Sequence, residues 1–380
     1  MAPVKVMSVF GTRPEAIKMA PLVNELKKHP QFITPLVAVT AQHREMLDQV
    51  LSIFKIEPDY DLNIMKSKQT LADITTRALN GLDSIMKEEK PDLVLVHGDT
   101  TTTFAASLAA FYNQVAVGHV EAGLRSFNKM SPYPEEMNRM MTGVLADLHF
   151  APTMRAFDNL YNEGKETEHI YITGNTAIDA LKHTVKEDYS HPLLEQIDGK
   201  RMILLTSHRR ENHGEPMRHI FQAVRRIINE YDDVHVVFPV HLNPAIRQLA
   251  DEALGGQSRV HLTEPLDVID FHNFASRATL ILTDSGGVQE EAPSLGSPVL
   301  VLRENTERPE GVSAGTLKLV GTDEETIYST ASTLLTNKEE YYKMSQASNP
   351  YGDGEASKRI VEAILYYYGV TETKPVPFVE

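Results

Sequence analysis

What most constrains this chain is an alternation that runs through it twice: short, nearly continuous aliphatic and β-branched runs, separated by stretches of helical period. Residues 4–10, 33–40, 93–97, 115–119, 148–151 and 170–173 read as strands. Runs that are apolar on both faces suit parallel strands covered by helices above and below. Amphipathic helices are expected between them at 14–28, 43–54, 71–89, 101–112, 135–145 and 154–162, with Pro14 suited to a first helical turn. After a polar stretch at 182–201 the pattern restarts, with strands at 202–206, 234–239, 260–262, 280–283 and 299–302. Helices are expected near 217–231, 244–254, 267–275 and 287–295. The expected fold is α/β: two doubly wound Rossmann-like lobes facing a central cleft, residues 1–173 and 174–356. A last helix is expected at 355–368, striped by Ile360, Val361, Ile364 and Leu365, a face that the first lobe can cover. Ligands of such sheets sit beyond the carboxyl ends of the strands, so polar residues just after strands carry the most weight.

Composition narrows the partners. In 380 residues, 37 Lys and Arg stand against 52 Asp and Glu, a formal charge of −15. A surface that acidic repels phosphate backbones and anionic lipid heads, so neither nucleic acid nor membrane is expected as a partner. An anionic ligand has to be caught by a few local cations. The absence of Cys excludes disulfides, thiolate nucleophiles, zinc–thiolate centres and iron–sulfur clusters. No apolar run approaches the ~18 residues of a membrane helix. The first ten residues lack the features of a signal peptide, and a cytoplasmic location is expected.

Several familiar signatures are missing or fail. Gly-x-Gly-x-x-Gly, the Walker loop and His-Glu-x-x-His do not occur. Asp59-Tyr60-Asp61 follows Pro58 in an expected loop, and a three-residue match makes a poor case for metal, so no metal or cofactor is expected. Gly311-Val312-Ser313-Ala314-Gly315 fits a nucleophile elbow, but no strand precedes it and no His follows His272.

Four strand-end constellations survive. Phe10-Gly11-Thr12-Arg13-Pro14-Glu15-Ala16-Ile17-Lys18 makes a glycine turn into a helix start, an anion seat to which Arg13 and Lys18 add charge. Thr283-Asp284-Ser285-Gly286-Gly287 repeats that arrangement, with Ser285 free to donate or cap. Glu291, one turn on, can take paired ribose hydroxyls, and Arg308 adds a cation from a loop. Thr206-Ser207-His208-Arg209-Arg210-Glu211-Asn212-His213 follows a strand, and its clustered basic residues suggest a phosphate clamp in which His208 can hydrogen-bond or protonate a leaving phosphate oxygen. Asp99, Glu121 and Glu135 are carboxylates of the first series. Helix capping alone would explain Asp99 or Glu135, but acids at two neighbouring strand ends suit acid/base work on a neutral substrate.

Taken together, residues 10–18, His97-Gly-Asp-Thr100, His119-Val-Glu-Ala-Gly-Leu-Arg125, Pro134-Glu-Glu-Met-Asn-Arg139, 208–212, 283–293 and Thr306-Glu-Arg-Pro-Glu310 resemble the non-hydrolysing UDP-N-acetylglucosamine 2-epimerase family, nearly end to end. The resemblance implies a GT-B-like fold in which the tail helix carries residues 357–380 back to the first lobe, usually a homodimer, and supply of precursors for cell-surface polysaccharide. It implies catalytic roles for Asp99, Glu121, Glu135 and His208. It also implies UDP contacts from Arg13, Lys18, Phe271, Ser285, Gly286, Gly287, Glu291 and Arg308. Bacterial members bind a second UDP-N-acetylglucosamine as activator, which here would meet Gln42, Glu45, Lys68, Arg209 and His241. The expected reaction removes the C2 proton as UDP leaves, gives 2-acetamidoglucal, and re-adds proton and UDP to form UDP-N-acetylmannosamine. Which carboxylate serves which face stays open. A glycosyltransferase, a hydrolysing epimerase and a nucleotide-sugar sensor are the rival readings.

Overall fold

Seven parallel strands form the first sheet: β1 (Val4–Phe10), β2 (Ile33–Val39), β3 (Tyr60–Asp61), β4 (Leu93–His97), β5 (Ala116–Val120), β6 (Leu148–Ala151) and β7 (Ile170–Ile172). Their order is β3-β2-β1-β4-β5-β6-β7. The second sheet has six: β8 (Arg201–Thr206), β9 (Val234–Pro239), β10 (Val260–Thr263), β11 (Leu280–Thr283), β12 (Val299–Val301) and β13 (Leu317–Leu319), in the order β10-β9-β8-β11-β12-β13. The computed structural model describes residues 2–41, 44–66 and 69–379, the side chains of Glu45 and Met46 excepted.

Both sheets are doubly wound for the reason their sequences suggest. β1 and β4 are buried along nearly their whole length, and each face of the first sheet has its own apolar layer. One layer joins β1 and β2 to the helices Arg13–Leu26 and Arg44–Ile53. The other joins the opposite strand faces to Leu71–Glu89 and Thr101–Tyr112. The second sheet is covered by Glu215–Glu230, Pro244–Leu254 and Glu324–Thr336 on one side and Val268–Arg277 on the other. The strand order reverses between β1 and β4, and again between β8 and β11. At such switch points the flanking loops diverge and leave a crevice at the carboxyl ends. Arg13 and Asp99 follow one reversing pair; His208 and Asp284 follow the other.

The chain divides into one unit of Met1–Ala180 with Tyr351–Glu380 and a second of Leu181–Pro350. The first unit therefore holds a few more residues at each crossing than 1–173 and 357–380. The helix Thr176–Thr184 explains this, because its Ala177, Ile178 and Ala180 are buried and its Asp179 receives the N–H groups of Ala356 and Ser357 at 3.1 and 2.6 Å. The last helix, Ala356–Tyr367, packs on Arg13–Leu26 and buries Ile360, Val361, Ile364 and Leu365 in the first core. Among the described residues no helix is long and apolar enough to cross a membrane.

Candidate active site

In the first unit one carboxylate ties the two reversing strand ends together. Glu15 Oε2 accepts from the backbone of Gly11 (3.1 Å) and Thr12 (2.8 Å) and from the Thr12 hydroxyl (2.8 Å). Its Oε1 accepts from the hydroxyls of Thr100 (2.6 Å) and Thr103 (3.1 Å), on the turn after Asp99. Burial pushes the Glu15 carboxyl above its ordinary value, and these donors oppose the shift. Gly11 is required by close approach: a Cβ there would lie 1.9 Å from Thr40 Oγ1. Arg13 opens the helix half-buried, and among the described residues no carboxylate pairs with it.

Asp99 is held by Arg139 Nη2 at 2.5 Å, while Asn138 Nδ2 donates to its backbone carbonyl at 3.0 Å. Burial raises its carboxyl first and most; Arg139 opposes this, and the nearby charges of Glu121 and Glu135 add to it. Arg139 also lies 3.3 Å from the fully buried Glu136, which in turn accepts from the backbone of Ser126 and Phe127. Glu121 follows β5 with φ +62°, a left-handed conformation that is uncommon for any residue but Gly, Asn or Asp. Its Oε2 meets Lys18 Nζ, accepts from Asn175 Nδ2 at 2.8 Å, and lies 3.8 Å from the buried His97 Nε2. Burial lowers His97 to about 4, so its ring is neutral near pH 7. Glu135 is half-buried at the start of its helix.

In the second unit the basic residues gather around a glycine. A Cβ on Gly286 would lie 3.7 Å from Arg209 Nη2 and 3.8 Å from Arg308 Cζ, so two guanidiniums converge where that side chain is missing. Arg308 Nε donates to the buried Glu290 at 2.5 Å, which fixes its fork. Ser285 precedes the short helix Gly286–Glu291, but its hydroxyl makes no capping bond; its backbone N–H donates to Thr283 Oγ1 at 3.0 Å. One Glu291 oxygen lies 3.2 Å from His272 Nε2, whose Nδ1 is 2.7 Å from Thr184 Oγ1, and the Phe271 ring meets His272 at 6.2 Å. His208 stacks on His241 with ring centroids 5.6 Å apart, and its Nδ1 lies 3.4 Å from Asp284 Oδ1. Burial lowers His208, and Asp284 opposes the shift.

The structure thus groups Arg13, Lys18, Asp99, Glu121 and Glu135 at one set of strand ends. It groups His208, Arg209, His241, Phe271, Ser285, Gly286, Gly287, Glu291 and Arg308 at the other. Gln42 and Lys68 lie outside the described residues, as does the Glu45 side chain. Asp59 and Asp61 differ from expectation, because Tyr60–Asp61 is the edge strand β3 and not a loop. Asp59 accepts from the Val37 backbone at 2.8 Å, and Asp61 pairs with Arg44. Ser313 ends the short helix Pro309–Ser313, which residues 302–308 separate from β12, so it does not sit on a strand-to-helix elbow. Sequence reasoning assigned no role to Arg139, Asn175, Glu15, His97 or Asp284. All but Asn175 sat inside the quoted motifs, and their position in those motifs was the available signal.

A family model described as UDP-N-acetylglucosamine 2-epimerase matches residues 24–365. A UDP-N-acetylglucosamine 2-epimerase of Bacillus subtilis is 68% identical over 378 residues, covering 100% of this chain and 99% of that protein. Among solved structures, a UDP-N-acetylglucosamine 2-epimerase from Listeria monocytogenes superposes with a TM-score of 0.96 at 59% identity, covering both chains fully. One from Neisseria meningitidis, bound to UDP-GlcNAc, has a TM-score of 0.86 at 51% identity over 95% of this chain and 100% of that one.

Proposed function

This chain belongs to the UDP-N-acetylglucosamine 2-epimerase family, and from that premise we propose that it inverts C2 of UDP-N-acetylglucosamine reversibly, by eliminating UDP and adding it back. The observation that carries this reading is the contrast between two acids on neighbouring strand ends. Asp99 is half-buried and shifted towards its protonated form, whereas Glu121 lies against the cation of Lys18 and the amide of Asn175. A carboxyl shifted towards its protonated form beside a carboxylate that a cation holds makes an acid and a base.

The C2 proton of a hexosamine has no carbonyl beside it, so its removal has to be coupled to departure of UDP from C1. Glu121, paired with Lys18, takes the C2 proton as the C1–O bond breaks, and the C1=C2 bond of 2-acetamidoglucal forms. Asp99 then gives a proton to the opposite face of C2, and a phosphate oxygen of UDP re-adds to C1, yielding UDP-N-acetylmannosamine. The return direction exchanges the two roles, and Glu135 is the third carboxylate of the set. Arg13, His208, Arg308 and the Gly286–Gly287 turn stabilise the departing diphosphate, while Phe271, Ser285 and Glu291 hold the nucleoside end. Turnover in heavy water is expected to place deuterium at C2 of a product that keeps its UDP linkage, detected by NMR. An unlabelled C2 after full turnover overturns proton exchange, and free sugar overturns the non-hydrolysing reading.

We further propose a second UDP-N-acetylglucosamine as activator. Arg209 supports this: among the described residues no carboxylate pairs with its guanidinium, and His241 stacks on His208. A homodimer is supported by Phe111, Tyr112 and Val144, which stand 59, 63 and 74% exposed where the helices Thr101–Tyr112 and Glu135–Leu145 end side by side. Val144→Glu should then shift the sedimentation of the native protein from dimer towards monomer; an unchanged dimer overturns this face as the interface. The product is proposed to supply precursors for cell-surface polysaccharide.

A further inference from the structure

Asp284, at the carboxyl end of β11, is fully buried, and among the described residues no Lys or Arg forms an ion pair with it. Its two oxygens are used very differently. Oδ2 accepts four donors: Ser207 Oγ at 3.0 Å, the backbone N–H of His208 at 2.9 Å and of Arg209 at 3.0 Å, and Asn212 Nδ2 at 3.0 Å. Oδ1 is buried without a hydrogen-bond partner and lies 3.4 Å from His208 Nδ1. A buried carboxylate oxygen left unpaired is costly. His208 Nδ1, within short reach of it, belongs to the side chain that the proposed mechanism uses on the leaving diphosphate.

We propose that Asp284 is a positioning residue for His208: its Oδ1 takes Nδ1–H as the donor and favours the doubly protonated ring, whose Nε2–H is then the proton that faces the phosphate oxygen of UDP. This inference rests on the reading of His208 given above. The two-oxygen arrangement separates orientation from scaffolding, since Oδ2 alone fastens the loop 207–212 to the strand end. A carboxylate behind an imidazole selects the tautomer in the same way in hydrolytic triads, where replacing that carboxylate by an amide preserves the geometry and inverts the tautomer.

The test follows from the four donors. In Asp284→Asn they require the amide oxygen at the Oδ2 position, which turns the amide NH2 towards His208 Nδ1. The imidazole must then accept at Nδ1 and carry its proton on Nε2. The expected result is a fall in kcat of at least about a hundredfold. UDP affinity by calorimetry should remain within a few-fold, and the thermal midpoint should be close to that of the parent. The His208 limb of the pH–rate profile should move to lower pH, because the remaining neighbours of the ring, His241, Arg209 and His213, all disfavour its charged form. Ser207→Ala, which removes one Oδ2 donor and leaves Oδ1 alone, should retain most of the rate. An unchanged kcat and pH profile in Asp284→Asn, with His208→Gln inactive, overturns the inference and spares the role of His208. An equal loss in Ser207→Ala overturns it in favour of scaffolding. Full activity in His208→Gln removes the role of His208 and the inference with it.

Discussion

Asp99→Asn is expected to abolish turnover while UDP binding stays within about twofold of the parent. The substitution keeps the size of the side chain and removes its ability to exchange a proton, and positioned acid/base groups are worth about 10²–10⁴ in rate. A loss of at least about a thousandfold is expected, because the addition step of the forward reaction and the elimination step of the return both pass their proton through this group. The fold should tolerate the change. Burial already works against the charged form of Asp99, and Arg139 keeps Glu136 at 3.3 Å. The check pairs steady-state rates with UDP calorimetry and with entry of solvent deuterium at C2 of UDP-N-acetylmannosamine. A fall in affinity as steep as the fall in rate would make Asp99 a binding group, and C2-labelled UDP-N-acetylmannosamine formed at the parental rate would remove it from proton transfer.

Acidification is expected to unfold the first unit well above the pH at which its carboxylates titrate. Three adjacent strands carry buried imidazoles: His97 on β4, His119 on β5 and His149 on β6, with His119 and His149 opposite one another in register. Burial depresses them to about 4, 3 and 3. In the unfolded chain each titrates near pH 6.5. The neutral rings therefore contribute stability that is fully present above about pH 6.5 and is lost as pH falls towards 4, since the unfolded state takes up protons that the folded state refuses. Glu15 and Asp99, raised by burial, act in the opposite sense. The net uptake on unfolding is thus about one to three protons, a loss of about 1.4–4 kcal/mol per pH unit. Denaturant midpoints measured between pH 7 and 4.5 should follow that slope, and His149→Leu should flatten it by about one proton. Stability that is level or rising on acidification would show that these rings are not held neutral.

How much of this was legible follows from where each signal lives. Strands buried on both faces announce themselves as unbroken apolar runs, so the ends of β1, β4, β8 and β11 could be read directly, and with them Arg13, Asp99, His208 and Asp284. β13 escaped because Lys318 interrupts its three residues, and β3 because two residues carry no period. The helix Glu324–Thr336 has an Asp323 cap and two acids in its first turn, but its many Thr and Ser residues weaken the helical signal. The helix Lys338–Ser345 buries nothing, so no apolar stripe marks it. The site differs again. Lys18 meets Glu121 across 103 positions, Glu15 meets Thr100 across 85, and His208 meets Asp284 across 76. Such partnerships arise from strand order, which no local pattern encodes. The left-handed backbone of Glu121 was equally hidden, because nothing in a Glu residue favours it.

The helix Ala356–Tyr367 in the first core has a consequence for how the chain matures on the ribosome. Domains generally fold as units in the order in which they are synthesised. Here the amino-terminal unit lacks Ile360, Val361, Ile364 and Leu365 until all of Leu181–Pro350 has been made, whereas that second unit is contiguous and emerges whole. Nascent chains that have emerged as far as residue 350 should therefore hold a finished second unit and a first whose helix Arg13–Leu26 still shows a bare apolar flank. Until Ala356–Tyr367 emerges, that flank is where chaperones would be drawn.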